Sequence, residues 1–142
     1  MNHIHRTTNI EAQISDVWSF LTEPEKIEKW LMSNTFEAKI GHAFTMDCPP
    51  GVGSGAPIDC VIKELSPPQS GKARLVYTWV IDEPHTETLL EIDLIEIGGT
   101  TNVDLIHSGW ASADDELRGR HAMGWTHLLG QLLPDALREF GQ

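Results

Sequence analysis

The sequence predicts an α+β fold: a curved antiparallel sheet of about six strands wrapped around a long C-terminal helix, with two short helices after the first strand. Three observations carry this expectation. From Ser112 to Phe140, apolar residues recur at steps of three and four: Leu117, Ala122, Trp125, Leu128, Leu129, Leu132, Leu133, Ala136, Leu137 and Phe140. That spacing makes one stripe on a helix. From Phe36 onward the period of the apolar residues changes to two, the mark of antiparallel strands with one buried face. Short clusters of Gly, Pro, Asp and Ser separate these stretches, as turns require.

In chain order, His3 to Ile10 reads as a strand, with Ile4, Thr8 and Ile10 in one phase. A helix over about Ser15–Leu21 carries Val17, Trp18 and Leu21 on one side. Thr22-Glu-Pro-Glu25 then reads as a capping box opening a second helix to about Leu31, with Ile27, Trp30 and Leu31 inward. Five strands follow. Phe44 and Met46 alternate with Thr45 and Asp47; Ile58, Cys60 and Ile62 with Asp59 and Val61. Leu75, Tyr77 and Trp79 alternate with Val76 and Thr78; Leu90, Ile92 and Leu94 with Glu91 and Asp93; Val103, Leu105 and His107 with Asp104 and Ile106. Breaks are expected at Ile40-Gly41-His42, Pro49-Pro50-Gly51, Ser66-Pro67-Pro68, Asp82-Glu83-Pro84 and Gly98-Gly99, the last a two-residue hairpin signal. The first strand should pair with the last ones. The final helix has Ser112 and Asp114 as candidate N-caps, Arg138 in its last turn and Gly141 as its stop. Within it, Pro134 should clash with the carbonyl of Gly130. Gly119, Gly124 and Gly130 either permit close packing or let the helix bend to admit a ligand beneath it.

Length and charge bound the function. The 142 residues are expected to form one domain, 1–142. With 21 acidic residues against 10 basic ones, the net charge of −11 argues against nucleic acid or an anionic membrane as partner. No apolar run approaches the roughly 18 residues of a membrane span, and Met1–Ile14 has no signal-like core, so a cytoplasmic location is expected. Cys48 and Cys60 are the only cysteines and are expected to be reduced.

Several pieces together resemble a known family: Val17-Trp18, Leu21-Thr-Glu-Pro-Glu25, Gly41-His-Ala-Phe44, Glu64-Leu-Ser-Pro-Pro68, Leu75-Val-Tyr-Thr-Trp79, Gly98-Gly-Thr-Thr101, Leu105-Ile-His-Ser-Gly-Trp110 and Gly124-Trp125. In that order they are similar to the SRPBCC (START-like) superfamily, in the branch named for the activator of the heat-shock-protein-90 ATPase. The resemblance covers nearly the whole chain. It implies a helix-grip fold with a cavity between sheet and helix, and either apolar-ligand binding or a protein-interaction role of the kind met in the stress response. It carries over no fixed catalytic residues. The glycine-rich loop Gly51-Val-Gly-Ser-Gly55 and Pro134 depart from the pattern.

The candidate ligand-binding residues are those facing the space between sheet and helix. The sheet offers Phe44, Met46, Ile58, Cys60, Tyr77, Trp79, Leu90, Ile92, Leu105 and His107. The helices and their approaches offer Trp18, Trp30, Trp110, His121, Trp125 and Leu129. His107, inward by phase, is either a satisfied core group or a polar anchor, with Tyr77 as a second anchor. The five tryptophans either fill core or build a flat-walled pocket for a ring. The partner expected is an apolar or aromatic small molecule, with a protein partner or homodimer as the alternative and a cyclase- or dehydratase-type enzyme as the third reading. No catalytic residue, cofactor or metal is assigned: Gly51–Gly55 precedes a strand rather than a helix, and the seven histidines lack a zinc-like spacing. Ile95, Ile106 and Val80, out of phase with the core, are a candidate exposed patch.

Overall fold

The computed structural model describes residues 3–47, 57–81 and 86–141. Among these, seven strands form one antiparallel sheet: β1 (Ile4–Ile10), β2 (Ser33–Asn34), β3 (Ala43–Asp47), β4 (Ile58–Gln69), β5 (Lys72–Ile81), β6 (Thr86–Ile97) and β7 (Thr100–Ser108). The order across the sheet is β1-β7-β6-β5-β4-β3-β2, so the first strand does close against the last. Two short helices, α1 (Ile14–Thr22) and α2 (Pro24–Ile27), follow β1. The C-terminal rod comprises a 3₁₀ turn (Ser112–Asp114), α3 (Asp115–His127), a π turn (Leu128–Leu132) and α4 (Leu133–Phe140). This is the curled sheet and long helix of the helix-grip fold. The inward phases of β1 and β3–β7 bury Ile4, Phe44, Cys60, Tyr77, Leu90, Ile92 and Leu105 against Trp125, Leu129, Leu133 and Leu137. Each such side chain contributes about 1.5–3 kcal/mol when fully buried.

The structure corrects several expectations. The seventh strand, β2, is two residues long, too short to show alternation, and Asn34 fixes it by donating to the carbonyls of Met32 and Pro24. Thr22 is no capping-box residue: α1 runs through it, and its hydroxyl donates back to the Trp18 carbonyl. The second helix stops at Ile27 instead of Leu31. Ser66-Pro67-Pro68 is not a break but lies within β4, at a register shift between Ser66 and Gln69 where the ladder needs no proline N–H. The turn comes later, at Ser70 (φ 54°) and Gly71 (φ 76°). The Gly98-Gly99 hairpin is as expected, with φ of 60° and 83°. Neither Ser112 nor Asp114 caps a helix through its side chain. Pro134 sits in the first turn of α4, because the wider π turn before it removes the clash with Gly130. Cys48, the Gly51–Gly55 loop and the expected Pro49 and Asp82 breaks lie outside the described residues.

Arg74 ties the outer face together. Its guanidinium donates to Glu64 on β4 and to Glu91 and Asp93 on β6, each at 2.7 Å. Val80, Ile95 and Ile106 do not form one patch: their cross-strand neighbours are Glu87, Asn102 and Glu91 respectively. Ile95 and Ile97, at the end of β6, are the exposed apolar pair, at 41% and 78%.

Candidate functional site

One end of the concave face gathers five of the sequence-derived candidates. Trp79 comes from β5, His107 from β7, Trp110 from the segment after β7, and His121 and Trp125 from α3. Ring centres lie 5.4 Å apart for Trp79 and His107, 5.5 Å for Trp79 and Trp125, 4.9 Å for Trp110 and His121, and 5.7 Å for the two histidines. Alternation on β5 and β7 aims Trp79 and His107 inward, and the helical step of four brings His121 and Trp125 down onto them.

A chain of hydrogen bonds fixes the protonation of His107. Trp125 Nε1 donates to His107 Nδ1 at 3.0 Å, so that nitrogen bears no proton. His107 Nε2 therefore carries the proton and donates to Thr88 Oγ1 at 2.7 Å; Thr88 in turn donates to the Trp79 carbonyl at 2.7 Å. Trp110 Nε1 donates to the His107 carbonyl at 3.2 Å. His107 is fully buried. Burial first, then the proximity of His121, holds its pKa well below the usual histidine value. It is a neutral, saturated group with no ring nitrogen left over for a ligand. His121 donates from Nδ1 to the Leu117 carbonyl one turn back, which leaves Nε2 as an acceptor. Its pKa is also lowered, chiefly by burial.

Trp79 is the exception in this cluster. Its Nε1 is buried and has no hydrogen-bond partner among the described residues. The sequence could not reveal this, nor the role of Thr88, although Thr88 shares the inward phase of Leu90.

The other candidates fall elsewhere. Phe44 and Tyr77 form a second aromatic group with Phe36, at 5.1 Å and 4.9 Å from Phe44 to Tyr77 and Phe36. Phe36 was not among the expected residues, because the irregular stretch that carries it has no period. Burial raises the Tyr77 hydroxyl and the Cys60 thiol well above their ordinary values. Met46, Ile58, Leu90, Ile92, Leu105 and Leu129 are plain core. Trp30, just past the end of α2, is buried and donates to the Phe20 carbonyl of α1 at 2.8 Å. Trp18 is half-buried on α1.

Two concavities among the described residues lie away from the cluster of Trp79, His107, Trp110, His121 and Trp125. One is a groove of about 1010 Å³ bounded by Asn9–Gln13, Gly99, Pro134 and Leu137; the other, about 330 Å³, lies by Thr45, Asp59, Val61 and Thr78. Beneath α3 the rings of Trp79, His107, Trp110, His121 and Trp125 pack against one another. The rod above them is unevenly held. In α3 only Trp125 is fully buried, whereas the shorter α4 buries Leu133, Ala136 and Leu137. A Cβ added at Gly119, Gly124 or Gly130 would meet nothing within 4 Å, which overturns close packing as the reason for these glycines. Among the described residues, no three His, Cys, Asp or Glu side chains converge on a metal-sized site, and no helix is long and apolar enough to cross a membrane.

Comparison with known proteins places this geometry. Protein MLL2253 from Mesorhizobium loti superposes with a TM-score of 0.86 at 23% identity, over 97% of this chain and 98% of that one. The Aha1 dimer from Colwellia psychrerythraea gives 0.75 at 21% identity, over 100% and 99%. DynU16, from the dynemicin biosynthetic locus, gives 0.79 at 18% identity over 100% of this chain, which spans 49% of DynU16. No match is found among curated proteins. These likenesses establish the fold. The family model described as activator of Hsp90 ATPase homolog 1-like protein matches residues 11–137, and the chain belongs to that family.

Proposed function

We propose that the protein is a small-molecule-binding module that takes an apolar, ring-bearing ligand beneath α3, against Trp79, Trp110 and Trp125. The construction of α3 carries this reading. A helix with one fully buried residue, two glycines that no packing demands, and at its foot a π turn that carries a third is weakly anchored over an aromatic floor. Its continuation α4 is firmly anchored, so α3 can lift while the core stays intact. The ligand then occupies space that the closed form fills with indole and imidazole rings. The occurrence of the same fold in a protein of the dynemicin biosynthetic locus agrees with a small-molecule role.

Filling the glycines tests this. Gly119→Ala and Gly124→Ala should each stabilise the protein by about 0.4–1 kcal/mol. The double variant should bind 2-naphthol, followed by quenching of tryptophan fluorescence in stopped flow, several-fold more slowly than the parent. An unchanged association rate with the stability gain in place would show that α3 is not the door.

A second reading, as a protein-interaction module, draws on the family and on the dimeric relative. The exposed Ile95 and Ile97 would be its apolar contact. It expects a dimer in sedimentation at high concentration that Ile97→Lys disperses; a monomer at every concentration would remove the homodimer.

A further inference from the structure

We infer that the ligand of this site carries a ring hydroxyl, accepting a hydrogen bond from Trp79 Nε1 and donating one to His121 Nε2. The inference rests on the proposed binding role and adds the polar chemistry to it.

The tryptophan N–H groups lead to it. Trp30 donates to Phe20, Trp110 to the His107 carbonyl, Trp125 to His107 Nδ1, and Trp18 is only half-buried. Trp79 alone is 2% exposed and leaves its Nε1 without a partner among the described residues. An unmet buried donor is costly, and native interiors hold few of them. Near it stands an acceptor. His121 commits Nδ1 to its own helix, so Nε2 presents a lone pair, and its ring centre is 6.1 Å from that of Trp79. His107 cannot serve either group, since both of its ring nitrogens are engaged. One donor and one acceptor on neighbouring rings, set nearly perpendicular at 82°, match a hydroxyl, which accepts and donates through one oxygen. A carbonyl or ether would satisfy Trp79 only, and an ammonium would satisfy His121 only. Tryptophan, histidine and tryptophan rings around the same point suit an aromatic body attached to that oxygen. Arg118, one turn before His121 on α3, holds a second buried nitrogen without a hydrogen bond among the described residues, 3.5 Å from Asp115 Oδ1.

Three matched probes test this: 2-naphthol, 2-methoxynaphthalene and naphthalene, titrated by calorimetry. Naphthol should bind at least about tenfold more tightly than naphthalene, the worth of meeting a buried donor. The ether, which accepts but cannot donate, should fall between them. Trp79→Phe should erase the advantage of the ether over naphthalene, and His121→Leu the advantage of naphthol over the ether. On the unaltered protein, the Trp79 indole N–H proton resonance should move downfield with naphthol and not with naphthalene, a readout that survives if Trp79→Phe fails to fold. Equal affinity for all three probes overturns the hydroxyl inference and leaves the binding role standing. A naphthol preference untouched by both substitutions overturns the assignment to Trp79 and His121. No binding of any probe overturns the binding role and the inference together.

Discussion

Replacing His107 by alanine is expected to cost about 3–5 kcal/mol of folding stability, the sum of a cavity in the core and an orphaned donor. The imidazole touches Trp79, Trp110, His121 and Trp125, so its removal opens a void at the meeting point of β5, β7 and α3. Trp125 Nε1 loses its acceptor while remaining buried, and Thr88 loses its donor. Domains of this size have about 5–15 kcal/mol of stability in all, so the variant should sit near the edge of folding. His107→Gln should recover part of the loss, because its amide supplies one donor and one acceptor in place of the two ring nitrogens. Urea unfolding of both variants measures this. A loss below about 1 kcal/mol for the alanine variant would mean that the relay from Trp125 to Trp79 does not hold α3 to the sheet.

The sheet was legible because its inward face is nearly pure in phase. Val103, Leu105 and His107, or Leu90, Ile92 and Leu94, declare both the strand and its buried side, and the pairing of β1 with β7 comes from closing the curve. The hairpin was legible because paired glycines have few other uses. What failed did so where local chemistry has two outlets. Thr22 precedes a Pro-Glu pair and looks like a cap, yet a threonine at a helix end can equally bond its own i−4 carbonyl. Two prolines after Ser66 look like a turn, yet a strand tolerates them at a register shift. The C-terminal stripe was visible, but a π turn shifts the helical phase after Leu128, and no residue type announces it. The convergence of Trp79, His107, Trp110, His121 and Trp125 was foreseeable only as a set of inward residues. That His107 is saturated and Trp79 is not depends on side-chain geometry, which periodicity does not encode.

Acid should weaken the protein through the same histidine. His107 has a folded-state pKa well below the ordinary 6.5, caused first by burial and then by His121. In the unfolded chain it titrates near about 6.5. Between these values the unfolded state binds a proton that the folded state refuses, so stability falls as pH falls and rises as pH rises. The full contribution is present above the unfolded value; it declines at up to about 1.4 kcal/mol per pH unit from there down to the folded value. Below the folded value the slope from this residue disappears. His121, also lowered but less buried and facing Arg120 on its own helix, adds a smaller effect of the same sign. The groups these contacts set around His107 include no carboxylate to hold a charge: they are three indoles, a threonine hydroxyl already engaged and a second histidine. Stability measured by urea at stepped pH from 7.5 to 4.5 should therefore show a slope that His107→Gln reduces by about 1.4 kcal/mol per unit, since glutamine fills the site without titrating. An imidazole proton resonance of His107 that titrates near 6.5 in the folded protein would refute the neutral relay. It would show water reaching a ring that the closed helix is supposed to keep dry.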